Sequence, residues 1–129
     1  MIELRIDARS GLPAYLQIVQ QVKHALRLGL LLPGDQMPTI RELVASLAIN
    51  PNTVLKAYRE LEMEGLIGGR PGQGTFVMRS LPGSSRDDLA EMKERLVTWL
   101  NRAEELGMDE ESIVALFTVT LGERRREAA

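Results

Sequence analysis

The sequence predicts a mainly α-helical chain with one small β-hairpin, followed by a separate helical region. Three observations lead to this fold class. Two amphipathic segments lie close together between Pro38 and Glu64, and a glycine-rich segment with short apolar flanks follows them directly. After a Pro-Gly-Ser stretch, the last region repeats apolar residues with heptad spacing. The chain is therefore expected to have two parts.

Composition places the chain among globular proteins. Its 129 residues are 44% apolar and 26% charged, which is typical of a folded domain. No apolar run approaches the roughly 20 residues that a membrane span needs, and the N-terminus shows no signal peptide. The absence of cysteine excludes disulfides and thiolate metal sites. These features predict a cytoplasmic protein without membrane association.

The formal net charge of −2 is unevenly distributed. Residues 1–79 hold nine Lys/Arg against seven Asp/Glu, whereas residues 80–129 hold seven against eleven. A slightly basic front and an acidic back indicate two roles, although a difference of this size also arises by chance.

The first elements are an arm and a helix. Ile2, Leu4 and Ile6 alternate with charged residues, which predicts a short strand or an extended arm. Beyond Pro13 a helix is expected, ending near Gly29. Its apolar stripe consists of Tyr15, Ile18, Val19, Val22 and Leu26.

Capping residues mark the next two helices. Thr39 and Glu42 have the spacing of a capping box. A short break at Ala48 follows, and Asn50 and Pro51 are suited to the N-cap and first position of the next helix. The expected buried stripes are Ile40, Leu43, Val44 and Leu47 in one helix and Val54, Ala57, Tyr58 and Leu61 in the other.

The segment after these helices is predicted to form a two-stranded hairpin with a glycine-rich tip at residues 70–73. Helix, tight turn, helix and hairpin, in this order, are the elements of a winged helix-turn-helix. We therefore predict a winged helix-turn-helix DNA-binding domain over residues 1–79, a linker over 80–86 and a helical dimerisation tail over 87–129.

The tail is predicted to contain two helices, the first ending at Gly107 and the second capped by Asp109. The heptad seam of the first helix packs either against the second helix or against another copy of the chain. We favour a homodimer because two helices alone make a poor core. The residues expected to mediate dimerisation are Leu89, Met92, Leu96, Trp99, Ala103, Leu106 and Phe117.

A recognition helix must bury one face and leave the other for the major groove. Short polar groups at its start can reach phosphates or base edges, long basic side chains can neutralise phosphates or contact guanine, and a glycine-bearing hairpin tip can approach the DNA backbone. The predicted DNA-binding residues are Arg41, Asn52, Thr53, Lys56, Arg59, Arg70, Gly72 and Gly74.

Three segments, PAYLQIVQQVKHAL, LPGDQMPTIRELVASLAINPNTVLKAYRELEMEGLI and GQGTFV, together resemble the DNA-binding domain of the GntR family of bacterial transcription regulators. The resemblance covers roughly residues 10–78. A short tail predicted as two helices is similar to the YtrA subfamily, in which the tail serves dimerisation. The resemblance implies a repressor of an ABC-type transporter operon.

The same resemblance implies DNA contacts by Arg41, by Asn52 and Thr53, and by the hairpin around Gly72. Two positions depart from the family pattern. Ala48 stands where the family commonly has glycine, which costs roughly 1 kcal/mol if this position needs a positive φ. Leu55 stands where some branches place a DNA-contacting arginine.

Each candidate also has a less specific interpretation. Arg41, Lys56 and Arg59 can simply be solvated, and Arg59 can pair with Glu62 along one helix face. The arginines at 124–126 are expected to be a frayed tail or a minor DNA contact, and His24, the sole histidine, to be structural or solvated. The glycine-rich GGRPGQGT lacks the Lys-Ser/Thr of a phosphate-binding loop.

The sequence thus predicts a homodimeric, sequence-specific repressor of bacterial transcription that binds an inverted-repeat operator in double-stranded DNA. No enzyme, metal site or cofactor is expected, since no nucleophile motif is present. The alternative is a winged helix for protein–protein contact, against which the polar Asn52, Lys56 and Arg59 argue. A small-molecule effector is a further possibility, bound between winged helix and tail or around Trp99 and Phe117.

Overall fold

The structure, a computed structural model, describes residues 2–128. Over this range the chain forms five α-helices and one two-stranded sheet, which confirms the predicted fold class. It divides into two compact units, Met1–Arg86 and Asp87–Ala129. The elements are α1 (Ala14–Arg27), α2 (Ile40–Leu47), α3 (Pro51–Met63), β1 (Ile67–Arg70), β2 (Gly74–Val77), α4 (Arg86–Glu105) and α5 (Glu110–Ala128).

The first unit has a single apolar core to which α1, α2, α3 and the hairpin contribute. The stripe predicted for α3 is buried throughout, and that of α1 is buried except for the half-buried Tyr15. In α2 only Leu43 is fully buried. Burial of these stripes removes apolar surface from water, which is the main force that holds the three helices together.

Side-chain caps define where α2 and α3 begin, as predicted. The Thr39 hydroxyl accepts a hydrogen bond from the Glu42 N–H at 3.0 Å, and Asn50 Oδ1 accepts one from the Asn52 N–H at 2.8 Å. Between these helices the backbone turns sharply at Ala48, whose φ of 53° and ψ of 47° are left-handed. The turn is thus made by an alanine in a conformation that favours glycine.

The N-terminal segment is an extended arm along α1, and residues 2–12 contain no strand. The Gln21 amide accepts from the Arg5 N–H at 2.9 Å and donates to the Arg5 carbonyl at 2.6 Å. One turn earlier, the buried Gln17 makes the same pair of bonds with Asp7, at 2.8 and 2.9 Å. Two glutamine side chains on α1 therefore replace the strand partner that an alternating sequence usually needs.

The hairpin pairs β1 and β2 antiparallel, with Ile67 opposite Val77 and Arg70 opposite Gly74. A third backbone segment, residues 34–37, lies along the other side of β2. The Met37 N–H donates to the Thr75 carbonyl, and the Val77 N–H donates to the Asp35 carbonyl, both at 2.8 Å. The segment begins at the Pro33-Gly34 dipeptide, which is typical of a turn, and it closes the open edge of the hairpin.

Residues 80–85 belong to no helix or strand, and α4 begins at Arg86. This segment packs against the rest of the first unit at two points. Leu81 is half-buried against the core, and the Gly83 backbone lies so close to the Arg27 carbonyl oxygen that a Cβ at this position would be only 2.5 Å from it.

In the second unit, α4 and α5 are joined by a turn at Gly107, and Asp109 caps α5 by accepting from the Ser112 N–H at 2.8 Å. Hydrogen bonds from the Ser112 side chain and backbone lower the pKa of Asp109. The arginines at 124–126 lie within α5 and are exposed. None of the described helices is long and apolar enough to cross a membrane.

Candidate nucleic-acid interface

One face of α3 is a polar surface. Asn52, Lys56 and Arg59 are exposed and follow one another at intervals of four and three residues, so they lie on the same face of the helix. The opposite face packs into the core through the stripe that begins at Val54. Thr53 and Leu55 flank the polar face and are half-buried. The helix therefore has the two faces that a recognition helix needs.

Two arginines near this face make no internal ion pair. Arg41, the second residue of α2, and Arg59 are exposed, and the side chain of neither forms a hydrogen bond or ion pair within residues 2–128. The alternative of an Arg59–Glu62 pair is therefore not realised in this structure. Both guanidinium groups are available to a ligand outside the chain.

Lys56 does have a partner in the first unit. Its ammonium nitrogen lies 4.0 Å from the centre of the Tyr15 ring, which projects from the second position of α1. The ring is half-buried against the core, and the lysine ammonium lies over its face. This is the geometry of a cation–π interaction between α1 and α3.

The hairpin tip is a tight turn. The Gln73 N–H donates to the Arg70 carbonyl at 2.9 Å, Pro71 occupies the second position, and Gly72 at the third has a φ of 73°. These features define a type II turn, in which the third residue needs a positive φ. A Cβ on Gly72 would meet no atom within 4 Å, so the backbone conformation alone requires glycine there.

Two further contacts hold the tip in place. The Gln36 amide donates to the Gln73 carbonyl at 3.1 Å, and a Cβ on Gly74 would be 2.9 Å from that amide nitrogen. The Arg70 guanidinium lies 4.3 Å from the centre of the Phe76 ring on the neighbouring strand. Glycine at position 74 therefore makes room for the side chain that supports the turn.

The predicted DNA-binding residues thus occupy three places. Arg41 is in the first turn of α2, and Arg70, Gly72 and Gly74 are at the hairpin tip. The other four, Asn52, Thr53, Lys56 and Arg59, are on α3. Across residues 2–128 no hydrogen bond or ion pair connects these three groups to one another.

Three residues that support this surface were not predicted for that role. Tyr15 and Gln36 position Lys56 and the hairpin tip, as described above. Tyr58 donates its hydroxyl hydrogen bond to the Pro38 carbonyl and so links α3 to the segment before α2. Burial, with a contribution from the Glu42 carboxylate, raises the pKa of Tyr58. The hydroxyl of a buried tyrosine usually needs a hydrogen-bond partner. The position of Tyr58 in a predicted buried stripe could therefore have indicated such a contact from the sequence.

The tail has a different surface. Of its predicted dimerisation residues only Ala103 is buried, and Leu89 is half-buried. Trp99 is 41% exposed and Phe117 is 61% exposed. Both line an open groove of about 350 Å³ together with Leu96, Leu116 and Thr120. No residue of α5 within the described range is buried, so a single chain leaves an apolar surface in water.

Comparison with known proteins decides the family. The model for bacterial regulatory proteins of the gntR family matches residues 14–77. The uncharacterized HTH-type transcriptional regulator YhcF of Bacillus subtilis is 35% identical over 108 residues, which cover 82% of this chain and 88% of YhcF. This chain belongs to the GntR family.

Other relatives agree with this assignment. The HTH-type transcriptional repressor YtrA of Bacillus subtilis is 49% identical over 74 residues, and the match spans only 57% of each protein. The structure of YtrA from Sulfolobus acidocaldarius, a GntR-family transcription factor, superposes with a TM-score of 0.53 at 33% identity, covering 95% of this chain and 97% of that one. AraR(DBD) in complex with operator ORX1 has a TM-score of 0.51 at 29% identity, covering 59% and 95%.

The predicted resemblance to YtrA-type GntR regulators is therefore confirmed. The chain is a GntR-type DNA-binding transcriptional regulator, and the matched relatives are regulators rather than enzymes. Within the described residues no group of His, Asp or Glu side chains is arranged to hold a metal ion.

Proposed function

We propose that the protein is a homodimeric repressor that binds an inverted-repeat operator through α3 and the hairpin. The observation that carries this proposal is the exposed polar face of α3. Asn52, Lys56 and Arg59 form one continuous stripe on it, and Arg59 has no internal partner among the residues described. Unpaired cations beside short polar groups suit a surface that contacts both phosphates and base edges.

Each part of the surface has its own role in this proposal. Asn52 and Thr53 contact DNA with their side chains at the start of α3, where the positive end of the helix dipole attracts phosphate. Arg41 reads a base edge, and Lys56 and Arg59 neutralise phosphates. At the hairpin tip, Gly72 and Gly74 allow close approach to the DNA backbone, with Arg70 beside them.

The tail supplies the dimer. Its apolar side chains on α4 and α5 remain exposed in one chain, and pairing two chains would bury them. Two copies of α3 would then enter successive major grooves about 34 Å apart. An inverted repeat is the operator that matches a twofold-symmetric dimer.

Repression is proposed from the names of relatives. YtrA and NagR of Bacillus subtilis are named repressors, at 49% and 36% identity over the matched segments. A transporter-type operon follows from the resemblance to the YtrA subfamily, and a cytoplasmic location follows from a chromosomal DNA partner. An effector, if one acts here, has a candidate site in the groove around Trp99 and Phe117.

The test is binding of the purified protein to DNA from upstream of its own gene, measured by fluorescence anisotropy across a salt series. We expect saturable binding, a steep salt dependence and a clear preference over a scrambled control, because phosphate contacts release counterions whereas base contacts distinguish sequences. Equal, weak binding to both DNAs would contradict a specific operator there and would favour the protein-interaction alternative.

Two variants then separate the roles of the basic residues. Arg41→Ala should cost roughly 1–3 kcal/mol of binding free energy on the operator and relax one base position. Lys56→Ala should weaken binding to all sequences alike and reduce the salt slope. An equal loss on every sequence for both variants would show that Arg41 contacts only phosphate.

A further inference from the structure

The contact between Lys56 and Tyr15 joins two helices at the surface proposed to bind DNA. Tyr15 is on α1 and is half-buried against the core, whereas Lys56 is on α3 and exposed. The ammonium lies 4.0 Å from the ring centre. Lys56 makes no ion pair with a carboxylate within residues 2–128. In this part of the chain its ammonium is instead stabilised by the Tyr15 ring.

A lysine side chain has many rotamers, and ordering it upon binding reduces affinity. An aromatic face beneath the ammonium restricts those rotamers before DNA arrives. It does not neutralise the charge, as a carboxylate would, so the ammonium keeps its attraction for phosphate. A ring is therefore a suitable support for a cation that must bind an anion.

We propose that Tyr15 is a positioning residue of the DNA interface, whose ring holds the Lys56 ammonium where it meets a DNA phosphate. The inference deepens the proposed function and rests on it. The ring, rather than the hydroxyl, carries the effect, because the negative face of the π-system attracts the cation. Phenylalanine should therefore replace Tyr15 without loss, and an aliphatic residue should not.

The experiment compares Tyr15→Phe, Tyr15→Leu, Lys56→Met and the Tyr15→Leu/Lys56→Met double variant. Leucine keeps apolar bulk against the core, and methionine keeps the length of the lysine stem without its charge. Operator affinity and its salt dependence are measured for each, and thermal unfolding confirms that each is folded at the assay temperature. In parallel, NMR records the shifts of the Lys56 side-chain protons in the free protein, where the Tyr15 ring current should move them.

Tyr15→Phe should bind like the wild type. Tyr15→Leu should weaken binding roughly two- to fivefold per half-site, the range expected of an exposed cation–π pair. Lys56→Met should reduce the salt slope by about 1 per half-site, and adding Tyr15→Leu to it should cause no further loss. The ring-current shift of Lys56 should persist in Tyr15→Phe and disappear in Tyr15→Leu.

Several results would overturn the inference. If Tyr15→Phe were as weak as Tyr15→Leu, the hydroxyl would be the active group. If Tyr15→Leu weakened binding equally in the Lys56→Met background, the ring would act through the core instead. Absence of the ring-current shift would reject the contact without reference to DNA. If the wild type bound its operator specifically and Tyr15→Leu bound it equally tightly, the inference alone would be rejected. If the wild type showed no preference for the operator, the proposed function would be rejected and the inference with it.

Discussion

The backbone at Ala48 shows how one residue accommodates the turn between α2 and α3. Within residues 2–128 it is the one non-glycine residue with a positive φ. The Cβ of an L-residue is crowded in this left-handed conformation. The departure from the family's usual glycine was visible in the sequence, and the structure shows that the position does need left-handed geometry.

Replacing Ala48 with glycine should therefore stabilise the first unit. We expect Ala48→Gly to raise the free energy of unfolding by roughly 1 kcal/mol, since glycine adopts this conformation without steric cost. Ala45→Gly, at an exposed position inside α2, is the matched control and should lower it by about the same amount. Urea denaturation measures both. Destabilisation by both variants would show that the turn is not strained.

Tyr58 is a second residue whose role is decided by its surroundings. Tyr58→Phe should destabilise the protein by roughly 1–3 kcal/mol, because the buried Pro38 carbonyl loses its hydrogen-bond donor. Tyr15→Phe is the control and should be nearly neutral, since within the described residues the Tyr15 hydroxyl makes no hydrogen bond. Chemical denaturation compares the two, and equal losses would contradict this assignment.

The raised pKa of Tyr58 gives the same residue a pH dependence. The folded state holds the phenol proton more tightly than the unfolded state does, so the stabilisation is complete below the unfolded pKa of about 10. It should be lost as the pH rises above that value toward the folded pKa. The alkaline loss of stability should be smaller in Tyr58→Phe than in the wild type.

Helix periodicity is the reason why the residues on the polar face of α3 could be predicted from the sequence. Spacing alone places Asn52, Lys56 and Arg59 on one face. The supporting contacts could not be predicted in the same way, because Tyr15 meets Lys56, and Gln36 meets Gln73, only after distant segments fold together. Whether the eight predicted residues contact DNA stays a prediction.

At the scale of elements, capping chemistry was the most informative signal. Thr39, Asn50 and Asp109 were predicted as caps and each accepts a hydrogen bond from the first turn of its helix. Local signals of this kind act within three residues, so they do not depend on tertiary structure. The backbone pairing of residues 34–37 with β2 was missed because a turn-forming Pro-Gly sequence says nothing about a distant partner.

The hairpin provides a test at the same scale. Gly72→Ala should destabilise the type II turn by roughly 1–2 kcal/mol, because alanine is strained at a φ of 73°. Operator affinity should fall as the tip loses its shape. Gly69→Ala, in β1 of the same hairpin and with open space for a Cβ, is the matched control. In chemical denaturation and fluorescence anisotropy, Gly69→Ala should have nearly the stability and operator affinity of the wild type. If the two variants lost stability and affinity to a similar extent, the turn conformation would not be the cause.

At the scale of the whole molecule, the two units differ in how completely they bury their apolar residues. The first unit encloses a core of its own, whereas α5 buries none of its described side chains. The heptad pattern of α4 predicted that a partner helix was needed. It could not identify that partner, because the same apolar spacing suits a neighbouring helix and a second chain equally well.

Dimerisation through the tail therefore leads to a prediction that involves the entire protein. Phe117→Glu should yield a monomer in analytical ultracentrifugation, because a buried, unpaired carboxylate at the groove is costly. Operator affinity should fall about a hundredfold or more, because the second winged helix would no longer be tethered close to the second half-site. Thr118→Glu adds the same charge at the next exposed position of α5, outside the groove lining, and should remain dimeric. A dimeric Phe117→Glu with full affinity would place the contact between chains elsewhere, whereas a monomer that still binds the operator tightly would show that one winged helix suffices.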